Sequence, residues 1–234
     1  MKKVFSLIIM AAICLGCELE KFGSEELNPE KDKTENPTDS TWSYAPVTTA
    51  TIGHAGLSYI WDETVIPEIT ISITKEEWNN FLAAYDRNPS NKEYFPCDIT
   101  YKKGSDTHTL KGAGIRLRGN TSRRRPEGNG GQMHNSQNPD WHHCHFGINF
   151  RKFHKDDAHT VKGIRKVNLK WFKDDPCYVR EVYCYNLFRR YGIWTSAFST
   201  FCRVWLEVKG DPKKAYLGVY NMIEPIDGKF VEKR

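Results

Sequence analysis

Once Cys14 and Cys17 near the N-terminus are set aside, the five remaining cysteines, Cys97, Cys144, Cys177, Cys184 and Cys202, include no CxxC pair and are odd in number. That pattern excludes a zinc ribbon or a dithiol redox motif, and the scattered positions read as small buried hydrophobes. No segment repeats, which excludes a solenoid or propeller. Long apolar runs are missing too. The most apolar stretch, Val4 to Leu15, is too short to cross a bilayer, so it is not a membrane span.

What stands at that end is an export signal. "MKKVFSLIIMAAICLGC" begins with Lys2 and Lys3, continues through the apolar run and stops at Gly16-Cys17. Leu15-Gly16-Cys17 resembles the lipobox of bacterial lipoproteins, which implies a signal peptide over residues 1–17 and a membrane anchor made by acylating Cys17. Several acyl chains on one residue anchor stably where one would be marginal. The following "ELEKFGSEELNPEKDKTENPTDS" carries eight acidic and three basic residues, and its composition cannot bury enough apolar surface to offset ordering entropy. Residues 18–66 are therefore expected to form a disordered acidic tether. An acidic stretch after the anchor resembles the surface-export signal of Bacteroidota lipoproteins, which implies an outward-facing outer-membrane location.

The whole chain carries +5; without Lys2, Lys3 and the −5 of the acidic stretch, residues 41–234 carry +8. An anionic ligand or surface is plausible for so basic a body. Residues 67–234 suffice for one domain with a real core. Much of the charge sits in "IRLRGNTSRRRPE", where Arg116, Arg118, Arg123, Arg124 and Arg125 surround a Gly-Asn-Thr-Ser turn. Such a turn can keep a surface soluble, bind a polyanion or hold phosphates.

The pattern from residue 67 predicts an α+β fold. "EITISI" alternates as a strand, and Thr74-Lys75-Glu76-Glu77 opens a helix running to about Tyr85. "CDITYK" and "TLKGAGIRLR" read as a hairpin. The arginine turn leads through a Gly/Asn-rich insertion to the strands "HFGINFRKF" and "IRKVNLKWF". Asp175 as N-cap, Pro176 at the first helical position and Gly192 beyond the end mark a helix over "CYVREVYCYNLFRRY". Two more strands, "TFCRVWLEV" and "AYLGVYNMIE", follow. The expected body is a mainly antiparallel sheet with one principal packed helix.

Glu181 lies within that helix, and its neighbours three and four positions away are Tyr178, Cys184, Cys177 and Tyr185, none able to pair with it. Apolar residues on two sides of the wheel suggest that the helix is covered twice and Glu181 partly buried, where it would need a cation. Lys170, in the preceding strand, is the nearest candidate; the alternative is that Glu181 points to solvent past the tyrosines. A strand lysine fixed by a helix glutamate is how protein kinases hold ATP phosphates. His143 and His145 share one strand face, a spacing zinc sites use, but no second ligand pair appears, so packing is the simpler reading. Trp141, Trp171, Trp194 and Trp205 read as core or rim.

Taken together, "GIRLRGNTSR", "KVNLKWFKDDPCYVREVYCYNLFRRYG" and "YLGVYNMIEPIDGKF" resemble the spore coat protein H (CotH) family of atypical secreted kinases over about Ile69 to Phe230. The resemblance implies that residues 67–234 resemble a kinase N-terminal lobe binding ATP and Mg, with an exported protein as substrate and no nucleic-acid partner. By position it implies Arg118, Gly119, Asn120, Thr121, Ser122 and Arg123 as the phosphate-side loop. Lys170 and Glu181 would be the orienting pair, and Glu224 to Ile226 the segment joining two lobes. Two departures accompany it. Many relatives place lysines where this chain has "HHCHFGINF", and relatives continue into a second lobe beyond the position of Arg234. From the second departure the 234 residues are expected to be inactive in phosphoryl transfer. The competing reading is a surface lipoprotein that holds an anionic glycan or protein with its basic loop.

Overall fold

The computed structural model describes residues 46–154, 156 and 158–234. The signal peptide, Cys17 and the tether up to residue 45 lie outside these. Elements follow in the order α1 (Thr49–Ile52), α2 (Ala55–Ile60), β1 (Glu68–Thr74), α3 (Lys75–Arg87), β2 (Phe95–Lys103), β3 (Asp106–Arg118), β4 (His145–Asn149), β5 (Lys166–Lys170), α4 (Arg180–Arg190), β6 (Ser199–Lys209), β7 (Ala215–Ile223) and α5 (Gly228–Glu232). No helix among the described residues is long and apolar enough to cross a membrane.

Strand alternation sets the core. In β1, Ile69, Ile71 and Ile73 are buried while the residues between them are not, and Ile99 with Tyr101, Ile115 with Leu117, and Leu206 with Val208 repeat the pattern on other strands. Each such fully buried aliphatic side chain contributes about 1.5–3 kcal/mol. The sheet is α+β and mainly antiparallel, as the pattern predicts. It closes on itself in the order β1-β2-β3-β4-β5-β7-β6. Closure depends on one parallel pairing, β1 with β6, which aligns Ile71 with Leu206 and Ile73 with Val208. A closed sheet has no free edge to cover.

The principal packed helix is α3, not the one expected. Its Trp78, Phe81, Leu82 and Ala84 are buried at helical spacing, and Thr74 caps it by accepting Glu77 N at 3.2 Å. In α4 only Val182 is buried, whereas Tyr183 and Phe188 are exposed, so that helix is not covered twice. It also begins later than predicted. Asp175 accepts from the backbone N–H groups of Val179 (2.9 Å) and Arg180 (2.7 Å), satisfying donors at the helix start from a turn ahead of it. Tyr178, at φ 58°, makes that turn.

The tether boundary at residue 66 also needs correction, because residues 46–66 are folded. Leu57, Ile60 and Trp61 are buried in the main core. Lys103 Nζ ties the segment down, donating to Tyr59 O (2.7 Å) and Asp62 O (2.8 Å) and pairing with the Asp62 carboxylate at 3.2 Å. The apolar residues after residue 46 supply the burial that the acidic stretch lacks.

The Gly/Asn-rich insertion between β3 and β4 is held by polar contacts together with Trp141, which packs edge-on to Trp78 at 5.8 Å between ring centroids. His134 is clamped between carboxylates, Nδ1 at 2.8 Å from Glu127 and Nε2 at 2.9 Å from Asp211. Trp78 Nε1 donates to the same Glu127 at 2.7 Å. Cys97, Cys144 and Cys202 are buried thiols, as small hydrophobes would be, but Cys177 and Cys184 are exposed.

Candidate functional site

Outward-facing residues of β3, β4 and β5 form the floor of a cleft. Register pairs Arg118 with His145 and Arg116 with Gly147 across β3 and β4, then Gly147 with Asn168 across β4 and β5. Period-two geometry places Lys166, Asn168 and Lys170 in a row along β5. Gly147 keeps the floor low, since a Cβ there would lie 3.0 Å from Arg118 Cδ and 3.3 Å from Arg116 Cγ.

At one end of the cleft, Lys170 Nζ donates to Glu181 Oε1 from the first turn of α4. The second carboxylate oxygen accepts Asn221 Nδ2 at 3.0 Å, and the Asn221 carbonyl oxygen accepts the buried Ser199 hydroxyl at 2.7 Å. The pair sits at the cleft mouth, with the Lys170 side chain 47% and the Glu181 side chain 26% exposed. Glu181 thus meets its cation, although the helix carrying it is open on its outer side.

A cavity of about 260 Å³ is lined by Arg118, Gly119, Ser122, Lys170, Glu181 and Ile226, among others. It adjoins a cavity of about 560 Å³ that shares Ser122, His145, Lys170, Glu181 and Tyr185 and extends over Trp171 and Phe172. Gly119 adopts φ 107°, a backbone conformation that calls for glycine.

The anticipated loop residues divide. Asn120 and Thr121 are exposed and do not line these cavities. Arg123 is spent on the scaffold, donating to Gly119 O (2.7 Å), Pro89 O (3.0 Å) and Asn91 O. Arg125 grips both oxygens of Asp86, at 2.8 and 3.0 Å, while Arg124 is exposed. Arg118 remains available: it forms no hydrogen bond or ion pair within the described residues. Burial, then the neighbouring Arg116, pulls its pKa below the usual guanidinium range. Glu224 lines the smaller cavity, but its carboxylate is committed to Arg234 at 2.8 Å and to Phe198 N at 3.3 Å. Ile226 is exposed.

His145 belongs to the site, which the sequence did not reveal. Its Nδ1 accepts Trp171 N at 2.9 Å, so in the neutral ring Nε2 carries the proton. Burial, followed by the charge of Lys170, pushes its pKa down to about 4. The site therefore holds a neutral imidazole at neutral pH. His143 stacks on Trp171 at 4.9 Å between ring centroids, in keeping with the packing reading of this histidine pair. Among the described residues no group of three or more His, Cys, Asp or Glu side chains could hold a metal ion.

A separate cavity of about 480 Å³ near α5 is lined by Lys166, Lys229 and Arg165, among others. Lys166 and Lys229 are already paired there, with Asp227 and Glu232. It contains neither Lys170 nor Glu181, and borders the cleft through Lys166, Glu224 and Asp227.

The family model described as CotH kinase protein matches residues 115–234, slightly more than half of the chain. No curated protein matches. The match begins at the start of the cleft-forming segment and covers every residue of the cleft floor.

Proposed function

The chain belongs to the CotH kinase protein family, and on that premise we propose that the cleft binds ATP, with the closed sheet acting as the small lobe of a kinase-like body. One observation carries the reading: Lys170 and Glu181, 11 residues apart on a strand and a helix, meet at the cleft mouth. In this role Lys170 contacts phosphate oxygens, and Glu181, steadied by Asn221, fixes the lysine. Arg118, with no carboxylate partner, adds a second cationic contact, and neutral His145 offers a ring N–H.

The residues present fit the nucleotide's phosphates better than its metal. Donors without partners line the cleft, whereas the described residues contain no ligand cluster for magnesium. Magnesium bound with the nucleotide would supply charge neutralisation, and no residue of this chain is assigned to it. Binding and orientation are the roles proposed for these residues; none is assigned as a catalytic base.

Export completes the proposal. The lipobox-like Leu15-Gly16-Cys17 and the acidic segment after it support a lipid-anchored protein on the outer membrane, facing outward. An exported protein is the corresponding class of substrate. Acyl labelling that persists in Cys17→Ala would refute the anchor.

Thermal unfolding with and without Mg-ATP tests the nucleotide assignment, because a ligand that prefers the folded form raises the midpoint, by about 2.7 kcal/mol of stabilisation at one hundred times its dissociation constant. The expected result is a rise that Lys170→Ala abolishes. No rise at millimolar nucleotide would leave the anion-binding surface lipoprotein as the reading of this chain.

A further inference from the structure

Away from Lys170 the cleft narrows into a pocket of about 120 Å³ where Arg116, Arg118 and Lys166 converge, with Asn168 and Asp227 also lining it. Asp227 is the acid among its lining residues, and it is already engaged. Its Oδ2 accepts Lys166 Nζ at 2.8 Å, while Oδ1 accepts the backbone N–H groups of Lys229 (3.1 Å) and Phe230 (3.3 Å) at the start of α5. That leaves the two arginines without an anion.

Their donors are idle as well. Nε of Arg116 is buried with no hydrogen-bond partner, and Arg118 has neither a hydrogen bond nor an ion pair within the described residues. The Arg116 guanidinium lies 5.2 Å from the centre of the Tyr94 ring, which orients it without neutralising it. Asn168, only 9% exposed, makes no side-chain hydrogen bond within the described residues. A buried donor left unpaired is costly, and two adjacent guanidiniums repel. Both costs vanish with a guest that only accepts hydrogen bonds and carries negative charge.

The guest's charge follows from the balance. With Lys166 neutralised by Asp227, two positive charges remain, which matches a phosphate monoester or free phosphate near neutral pH better than a singly charged carboxylate. Planar guanidiniums suit its oxygens geometrically. We infer that Arg116, Arg118 and Asn168 form an oxyanion site for a phosphate group, distinct from the contact assigned to Lys170. Arg118 is also assigned to the nucleotide and the two cavities share Arg118, Asn168 and Ile226, but Arg116 lines this pocket and not the cavity beside Lys170, so the site can be tested apart from the nucleotide assignment. The phosphate is either a free or esterified one, or a phosphate of the nucleotide itself.

Calorimetric titration of the 234-residue protein with inorganic phosphate, at constant ionic strength in chloride, tests the site. Saturable binding of one phosphate is expected, weakened roughly 10- to 100-fold in Arg116→Gln, the range for losing charge-assisted hydrogen bonds, and unchanged in the exposed Arg124→Gln. If phosphate alone does not bind but Mg-ATP does, and Arg116→Gln weakens Mg-ATP by that factor, the site takes the nucleotide's own phosphate and the inference stands. Phosphate binding lost in Arg116→Gln, together with Mg-ATP binding that is absent or indifferent to Lys170→Ala, removes the nucleotide reading and keeps this one. Wild-type affinities in Arg116→Gln for both ligands overturn the inference while leaving the nucleotide reading intact. Should Arg116→Gln fail to fold, Arg116→Lys keeps the charge and the contact with Tyr94 but loses the fork. Its affinity is expected to be intermediate, and wild-type affinity there would be equally damaging.

Discussion

Asn221 on β7 holds Glu181 on α4 across 3.0 Å, and the same amide accepts the Ser199 hydroxyl at 2.7 Å. The carboxylate of the orienting pair is therefore fixed from the barrel side as well as by Lys170. Asn221→Leu keeps the volume but strands the fully buried Ser199 hydroxyl and frees one Glu181 oxygen. The expected cost is ~1–3 kcal/mol by urea denaturation, with a smaller Mg-ATP shift than wild type in the protein that remains folded.

The arginines of the turn should respond unequally. Arg125 is buried, paired with Asp86, and also donates to the carbonyl oxygens of Glu127 and Gln132. Arg125→Ala should cost ~3–5 kcal/mol, since it leaves a partly buried carboxylate and two carbonyls unanswered. Arg124→Ala, on the exposed side, should stay within about 0.5 kcal/mol. Equal losses in urea midpoints would contradict this division of the loop.

His134 lies between Glu127 and Asp211 with no exposed side-chain surface. Removing it leaves two buried carboxylates facing each other's field. His134→Ala should cost ~3 kcal/mol or more, and Asp211→Asn should recover part of the loss when combined with it. Additive losses in that double-mutant cycle would show that the clamp is not a coupled unit.

His145 gives the stability a pH dependence of known sign. Its folded pKa of about 4 lies below the usual 6.5, so the unfolded chain binds the proton more readily between those values. The contribution is complete above pH 6.5 and is lost as the pH falls toward 4. His145→Asn keeps an acceptor for the Trp171 N–H and removes the titration. The difference in unfolding free energy, wild type minus variant, should decrease as the pH is lowered through that window; a constant difference would refute the assignment.

Leu57 tests the folded segment ahead of β1. It is fully buried in the main core, so Leu57→Ala should cost ~2–5 kcal/mol. A disordered tether would lose nothing in the same urea experiment.

Much of the architecture was legible because its signals are local. Alternation in "EITISI" and the Thr74 cap depend on neighbours within a few residues. The Lys170 and Glu181 pairing was readable because the two residues lie close in sequence, at the end of one element and the start of the next. The cover on α4 was misread for a physical reason: tyrosines and a phenylalanine on a helix face are compatible with either burial or exposure. Nothing in a run of arginines tells which will find Asp86, which a carbonyl and which no partner, since Asp86, Pro89 and Asn91 lie more than thirty residues away along the chain.

The sequence by itself determined the strands, α3, the basic character of the β3–β4 turn and the family, because short-range periodicity and motif spacing are written along the chain. Only the tertiary structure decided that β1 closes the sheet against β6, that His134 sits between two carboxylates, and that Arg116 and Arg118 share a pocket with Lys166, whose charge Asp227 balances. Each of these depends on groups far apart in sequence being brought within a few ångströms, and that distance is set by the packing of the whole barrel.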